Sequence, residues 1–301
     1  MAAVSDLFPT IESVQDALRT QRYVAGRELA TTVFLSVKLD KPLLLEGEAG
    51  VGKTEVAKVL SAALSAPLIR LQCYEGIDVS QAVYEWAYAR QMLHIRLLES
   101  SGADRAVMEK EIFSPTFLVK RPLLQAIEAD GDRPPVLLID EIDRSDDEFE
   151  AFLLEVLSDY QISIPEIGTI RASRPPLVVI TSNRTREIHD ALKRRCLYFW
   201  IDYPSVETEY QIVLARIPDV PSRLAQQVSR FIGHVRQLDL YKLPGIAETL
   251  DWTRSLMALG KQELTDEAVQ STLGSIVKYQ EDLERLRGGQ ARELLERAVR
   301  A

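Results

Sequence analysis

Four short stretches of the chain hold residue types that can bind and split a phosphoanhydride. The first is Gly47-Glu48-Ala49-Gly50-Val51-Gly52-Lys53-Thr54, which satisfies G-x-x-x-x-G-K-[ST] at every fixed position. Its three glycines let the backbone turn successive N–H groups toward one anion, and the helix that follows adds the positive end of its dipole. In such a loop Lys53 reaches the β- and γ-phosphates of a nucleotide and the Thr54 hydroxyl can ligate Mg²⁺. The bland alternative is a chance glycine-rich turn. The second stretch is Asp140-Glu141, closing the apolar run Val136-Leu137-Leu138-Ile139. Asp140 can hold Mg²⁺, directly or through water, and Glu141 can serve as general base toward an attacking water. A solvated acidic turn is the competing reading, because Asp143, Asp146, Asp147 and Glu148 follow. The third is Asn183, at the polar tip of Leu177–Asn183, which can orient a water against a γ-phosphate or simply make a turn. The fourth is Arg194-Arg195, which can complement a helix C-terminus or supply a guanidinium to the phosphate of a neighbouring subunit. Arg144, just past the acidic pair, can serve local carboxylates or a subunit contact.

Buried strands are needed to carry these tips. Leu43–Leu45, Leu68–Leu71, Val136–Ile139, Leu177–Ile180 and Leu197–Ile201 are short apolar runs, and Pro42, Pro67, Pro135 and Pro176 stand just before the first four. Proline is tolerated at the first position of a strand, and runs without alternation suit strands covered on both faces. The expectation is an α/β domain over residues 1–203. From Tyr74 to Arg121 the pattern is long, largely helical and aromatic-rich, with Phe113–Phe117 as a loop, and reads as an insertion of about 75–118. After Tyr203-Pro204 the strand signals stop. Segments 206–217, 222–239, 246–259 and 265–286 read as helices of an all-α domain over 204–301, and the charged tail 281–301 as a solvated helix or a docking element.

Of the residues, 46% are hydrophobic and 27% charged, which argues against a disordered or fibrous chain. The net charge of −9 argues against a duplex-binding protein, whose affinity comes mostly from Lys and Arg on phosphates. Two cysteines, Cys73 and Cys196, are too few for a disulfide framework and fit a reducing cytoplasm. No leader pattern and no apolar run of membrane-spanning length is visible. His94, His189 and His234 show no metal-ligand spacing, and Tyr241, Trp200 and Trp252 read as packing residues.

Taken in order, Gly47–Thr54, Val136–Glu141, Asn183 and Arg194/Arg195, followed by a helical lid, resemble the AAA+ ATPases. Within these, Ile139–Arg144, Phe152–Glu155 and Gln161–Pro165 with the Gly168–Ile170 turn are similar to the MoxR group. Tyr84–Gln91 and Leu93–Arg96 resemble its CoxD-like branch, associated with carbon-monoxide dehydrogenase. The resemblance covers residues 20–285. It implies a P-loop core with sheet order 5-1-4-3-2, an insertion within the second helix, a hairpin near Tyr160–Ser173 and hexameric rings of identical chains. It further implies ATP and Mg²⁺ as ligands, adenine contacts from Tyr23-Val24-Ala25-Gly26, and an arginine finger at Arg194 or Arg195. Partners with a von Willebrand factor A domain and a chaperone-like role in maturing a molybdenum-containing enzyme belong to the same implication. One departure stands out. The family's second-sensor arginine is missing from Leu243–Thr249, leaving Arg236 and Arg254 as candidates to replace it. The competing functions are a nucleotide-gated binding module and a DNA-directed motor or loader.

Overall fold

The computed structural model describes residues 8–100 and 111–300. Part of the expected insertion, residues 101–110, lies outside the described residues, as do the first seven residues and the last.

The main sheet has five strands: β1 (Leu43–Gly47), β2 (Leu68–Gln72), β5 (Val136–Asp140), β8 (Leu177–Ser182) and β9 (Leu197–Ile201). Their lateral order is β2-β5-β8-β1-β9. Counted within this sheet alone and read from its other edge, that is the expected 5-1-4-3-2. The pairings β1–β8, β2–β5 and β5–β8 are parallel. The three inner strands are buried at every position, while β2 at one edge carries the polar residues Arg70 and Gln72. Apolar runs without alternation therefore became central strands, covered on both faces. The prolines do what their chemistry allows. Pro42, Pro67 and Pro135 have no N–H to give, yet their carbonyls accept from Leu197, Val136 and Leu177 of the adjacent strands at 2.8, 2.9 and 3.0 Å.

The insertion differs from its sequence reading. Tyr84–Trp86 forms strand β3, antiparallel to β4 (Leu118–Lys120), instead of continuing a helix. Three residues are too few to show a period of two. What fixes them is packing: Trp86 is buried edge-on to Phe113 at 5.5 Å and to Tyr84 at 6.2 Å. A helix follows at Tyr88–Ser100, and Pro115–Phe117 makes a 3-10 turn. The Arg121 N–H donates to the Val83 carbonyl at 2.8 Å, so the chain leaves and re-enters at one point. Farther on, β6 (Gln161–Ile164) and β7 (Gly168–Arg171) form the expected hairpin.

By packing, the chain divides into two compact units. One contains residues 8–13, Glu28–Glu46 and Leu60–Phe199; the other contains Val14–Arg27, Gly47–Val59 and residues 200–300. The second unit carries the glycine-rich loop together with helices Val206–Arg216, Ser222–Val235, Ile246–Ala258, Asp266–Thr272, Gln280–Leu286 and Gly289–Arg300. The fourth expected helix is broken after Thr272. A 3-10 turn follows at Leu273–Ser275, and the β-branched Ile276 and Val277 turn into the core. Trp252 is fully buried against Phe231 at 5.2 Å and donates its indole N–H to Thr272 at 2.7 Å. Tyr241, by contrast, is 79% exposed and lies on Tyr279 at 4.5 Å, so it is a surface residue and not a core one. The tail helix docks: Ala291, Leu294, Leu295 and Ala298, at helical spacing, are buried in the core of this unit. Among the described residues no helix is long and apolar enough to cross a membrane.

Candidate functional site

The second unit takes up the chain where β1 runs into the loop and the loop into the helix Lys53–Leu64. Gly50 and Gly52 have φ of +85° and +99°, a region that side-chain-bearing residues rarely adopt. Lys53 is buried, and its ammonium donates to the carbonyls of Gly47 and Glu48, each at 2.7 Å. The cation is thus held against two carbonyls of the loop. Thr54 is half-buried in the first helical turn. Glu48, Ala49 and Gly50 are exposed and Val51 is buried. Tyr23, Val24 and Ala25 are half-buried in the same unit. The Tyr23 hydroxyl titrates well above its ordinary range, first because of burial and second because the Glu55 carboxylate is near.

The loop is also gripped from the helix Ile246–Ala258. Ile246 donates its N–H to the Gly50 carbonyl at 2.9 Å. Gly245, at the N-cap, lies so close that a Cβ there would meet Gly50 backbone atoms at 2.8 Å. The Glu248 carboxylate accepts from the Gly245 N–H at 3.0 Å, completing the cap. Behind this turn Arg236 forks onto buried Glu209 at 2.6 and 2.8 Å and donates to the Pro244 carbonyl at 2.8 Å. Burial pushes the Glu209 carboxyl above its usual range, against the pull of Arg236. Arg236 is therefore committed to holding the turn, and Arg254 is paired with Asp251 at 3.1 Å. Gly245→Ala is expected to weaken nucleotide binding about tenfold, because backbone must shift to admit the methyl group. Calorimetry reads this directly; an unchanged affinity would show that the turn yields without disturbing the loop.

The carboxylates lie in the first unit. Asp140 is 2% exposed. Its Oδ1 accepts from the Thr181 hydroxyl at 2.6 Å, and its Oδ2 accepts from Arg70 Nε at 3.1 Å and Nη2 at 2.6 Å. Glu141 has a left-handed backbone, φ +57°, which costs energy for a side-chain-bearing residue and is the kind of strain found at working sites. Its N–H donates to the same Thr181 hydroxyl at 2.9 Å. One hydroxyl of β8 thereby fixes Asp140, at the end of β5, and Glu141, which follows it. The Glu141 carboxylate accepts from the Gln72 amide at 3.1 Å and lies 3.3 Å from Arg144 Nε.

Asn183 is tied to the same segment through its backbone: its N–H donates to Asp143 at 3.1 Å. Asp143 also accepts from the Thr185 N–H at 2.9 Å and hydroxyl at 2.6 Å. Buried Glu150 pairs with Arg186 and accepts the His189 N–H at 2.7 Å, which anchors the start of the helix Asp190–Arg195. At its end the two arginines differ. Arg195 donates to Ser158 at 3.0 Å and to the Ala191 carbonyl at 3.2 Å. Arg194 is exposed and makes no hydrogen bond or ion pair among the described residues.

The sequence reading missed Thr181, Arg70, Gln72, Asp143 and Gly245. Thr181 stood in the polar tip Thr181-Ser182-Asn183 and was legible as a candidate; the others depend on which strand or turn lies beside which. Among the described residues no three or more His, Cys, Asp or Glu side chains converge as a metal cage. The buried Asp140 carboxylate is the kind of hard oxygen ligand that Mg²⁺ takes.

The chain has relatives among known proteins. An uncharacterized protein of Staphylococcus haemolyticus is 25% identical over 228 residues, covering 73% of this chain and 77% of its own. One from Staphylococcus aureus is 28% identical over 240 residues, covering 76% and 82%. Among solved structures, a mutant form of Thermotoga maritima RuvB matches 86% of this chain and 68% of its own, with a TM-score of 0.49 and 16% identity. Residues 42–196, more than half the chain, match the model of the AAA domain, dynein-related subfamily. With its five-stranded parallel P-loop sheet and helical C-terminal region, the chain belongs to that family of AAA domains, and so to a group of nucleotide-binding proteins.

Proposed function

We propose that this protein is a Mg²⁺-dependent ATPase that remodels a client protein, working as a ring of identical subunits. The observation that carries the reading is the pair Asp140–Glu141, locked to Thr181 at the end of a buried strand, in a chain whose β1 runs straight into a phosphate loop. The N–H groups of Gly47–Thr54 and the Lys53 ammonium bind the phosphates of ATP. Thr54 and Asp140 hold Mg²⁺, which when bound neutralises phosphate charge. Glu141 takes the proton of the attacking water, which Asn183 orients. Arg194 is the better-placed finger, since Arg195 is occupied within its own chain.

A protein client is supported by the insertion, whose helix leaves Tyr88, Met92, Leu93 and Leu97 exposed. Maturation of a molybdenum-containing enzyme, with a von Willebrand factor A domain partner, is the finer form of the proposal and rests on the likeness of Tyr84–Gln91 to the CoxD-like branch. Calorimetry of the full chain with Mg²⁺ is expected to show saturable uptake of ATP and ADP. Absence of any uptake would overturn the reading.

A further inference from the structure

The magnesium carboxylate already has a cation beside it. Asp140 lies almost wholly out of water, and a buried carboxylate is costly unless its charge is compensated. Arg70, two residues from the end of the edge strand β2, supplies that compensation through two N–H groups on Oδ2, at 3.1 and 2.6 Å. Thr181 takes Oδ1. The pairing follows from the parallel register, which sets Gln72 opposite Asp140 and Arg70 opposite Leu138. A strand-edge arginine two residues back reaches forward to the carboxylate. The two partners are unequal in their surroundings: the Arg70 side chain is 51% exposed, whereas that of Asp140 is 3% exposed. Arg70 can move into water at small cost. Asp140 cannot, and its buried carboxylate still needs compensation when Arg70 moves away.

We propose that Arg70 is the internal counter-ion of Asp140 and, by competing for its Oδ2, sets the Mg²⁺ concentration at which the site accepts metal-bound nucleotide. This rests on the ATPase reading above. Arg70 is a positioning residue, acting through Asp140 on the metal. The same Nη2 also donates to Gln72 Oε1, which leaves the Gln72 amide N–H for Glu141, so one guanidinium orders both acids. Charge competition of this kind lowers apparent metal affinity without touching the phosphate loop.

The test is the Mg²⁺ dependence of ADP binding by the full chain, followed calorimetrically in the parent, Arg70→Gln and Arg70→Lys. Arg70→Gln is expected to lower the Mg²⁺ midpoint about tenfold, since taking one competing cation away from a buried acid raises what it gains from another. Arg70→Lys keeps the charge but loses the fork, and its midpoint is expected between the other two. Should only the lysine variant fold, a midpoint below that of the parent still supports the competition, and one at or above it overturns it. An unchanged or raised midpoint in Arg70→Gln also overturns it. So does weaker ADP binding at saturating Mg²⁺, which would make Arg70 a phosphate ligand. A parent that takes up no ADP at any Mg²⁺ concentration overturns the ATPase reading and this inference together; a parent that binds normally confines any failure to Arg70.

Discussion

Glu141→Gln is expected to slow ATP turnover about 10²–10⁴-fold, the usual loss on removing a positioned general base, while Mg²⁺-nucleotide uptake persists. The amide has the size and shape of the carboxylate but cannot accept a proton at neutral pH. Little else should change. The backbone N–H of residue 141 keeps its bond to Thr181, and Asp140 keeps its own. Arg144 loses a partner at the surface, where such pairs contribute little. Phosphate release and calorimetry, run on the same preparation, separate the two properties. Undiminished turnover would remove Glu141 from the mechanism. Joint loss of turnover and binding would make it a structural residue. The variant also addresses the nucleotide-gated alternative: a partner released equally well by parent and variant needs nucleotide binding alone.

What the sequence made legible is what depends on neighbours along the chain. The phosphate loop is one continuous octapeptide, and each glycine is needed by the local backbone. The strands announced themselves because Leu43–Leu45, Val136–Ile139 and Leu177–Ile180 are apolar throughout and each follows a proline whose only backbone hydrogen-bonding group is its carbonyl. The C-terminal helices appeared within a few residues of their expected bounds, except where Ile276 and Val277 leave the helix for the core.

The remainder depends on lateral register, which no local window contains. Thr181 bridges the acids because β8 lies beside β5, and Arg70 reaches Asp140 because β2 lies on its other side. The grip of Gly245 on Gly50 joins segments almost two hundred residues apart. Tyr84–Trp86 was misread for a related reason: its strand is made by a partner that arrives more than thirty residues later, at Leu118–Lys120. Local propensity carries little weight in so short a segment, and the partner strand decides.

Arg194→Ala is expected to lower turnover by about 10³-fold or more, the scale of an arginine finger, while each chain still binds nucleotide. The structure separates this residue from Arg195 by occupancy. Arg195 spends its donors on Ser158 and on the Ala191 carbonyl, steadying its own helix. Arg194 stands exposed beside it, with its guanidinium unengaged among the described residues. Arg195→Ala should therefore cost less turnover and more stability than Arg194→Ala. If the finger works in trans, the loss is repairable. Subunits bearing Arg194→Ala keep an intact Glu141, and subunits bearing Glu141→Gln keep an intact Arg194. Each preparation alone is expected to be nearly inactive. Mixing them should restore phosphate release at every junction where an unaltered Glu141 receives an unaltered Arg194 from its neighbour, with a maximum near equal proportions. A mixture as inactive as its components would mean that Arg194 acts within its own chain or that identical chains do not share sites, and the ring would lose its catalytic justification.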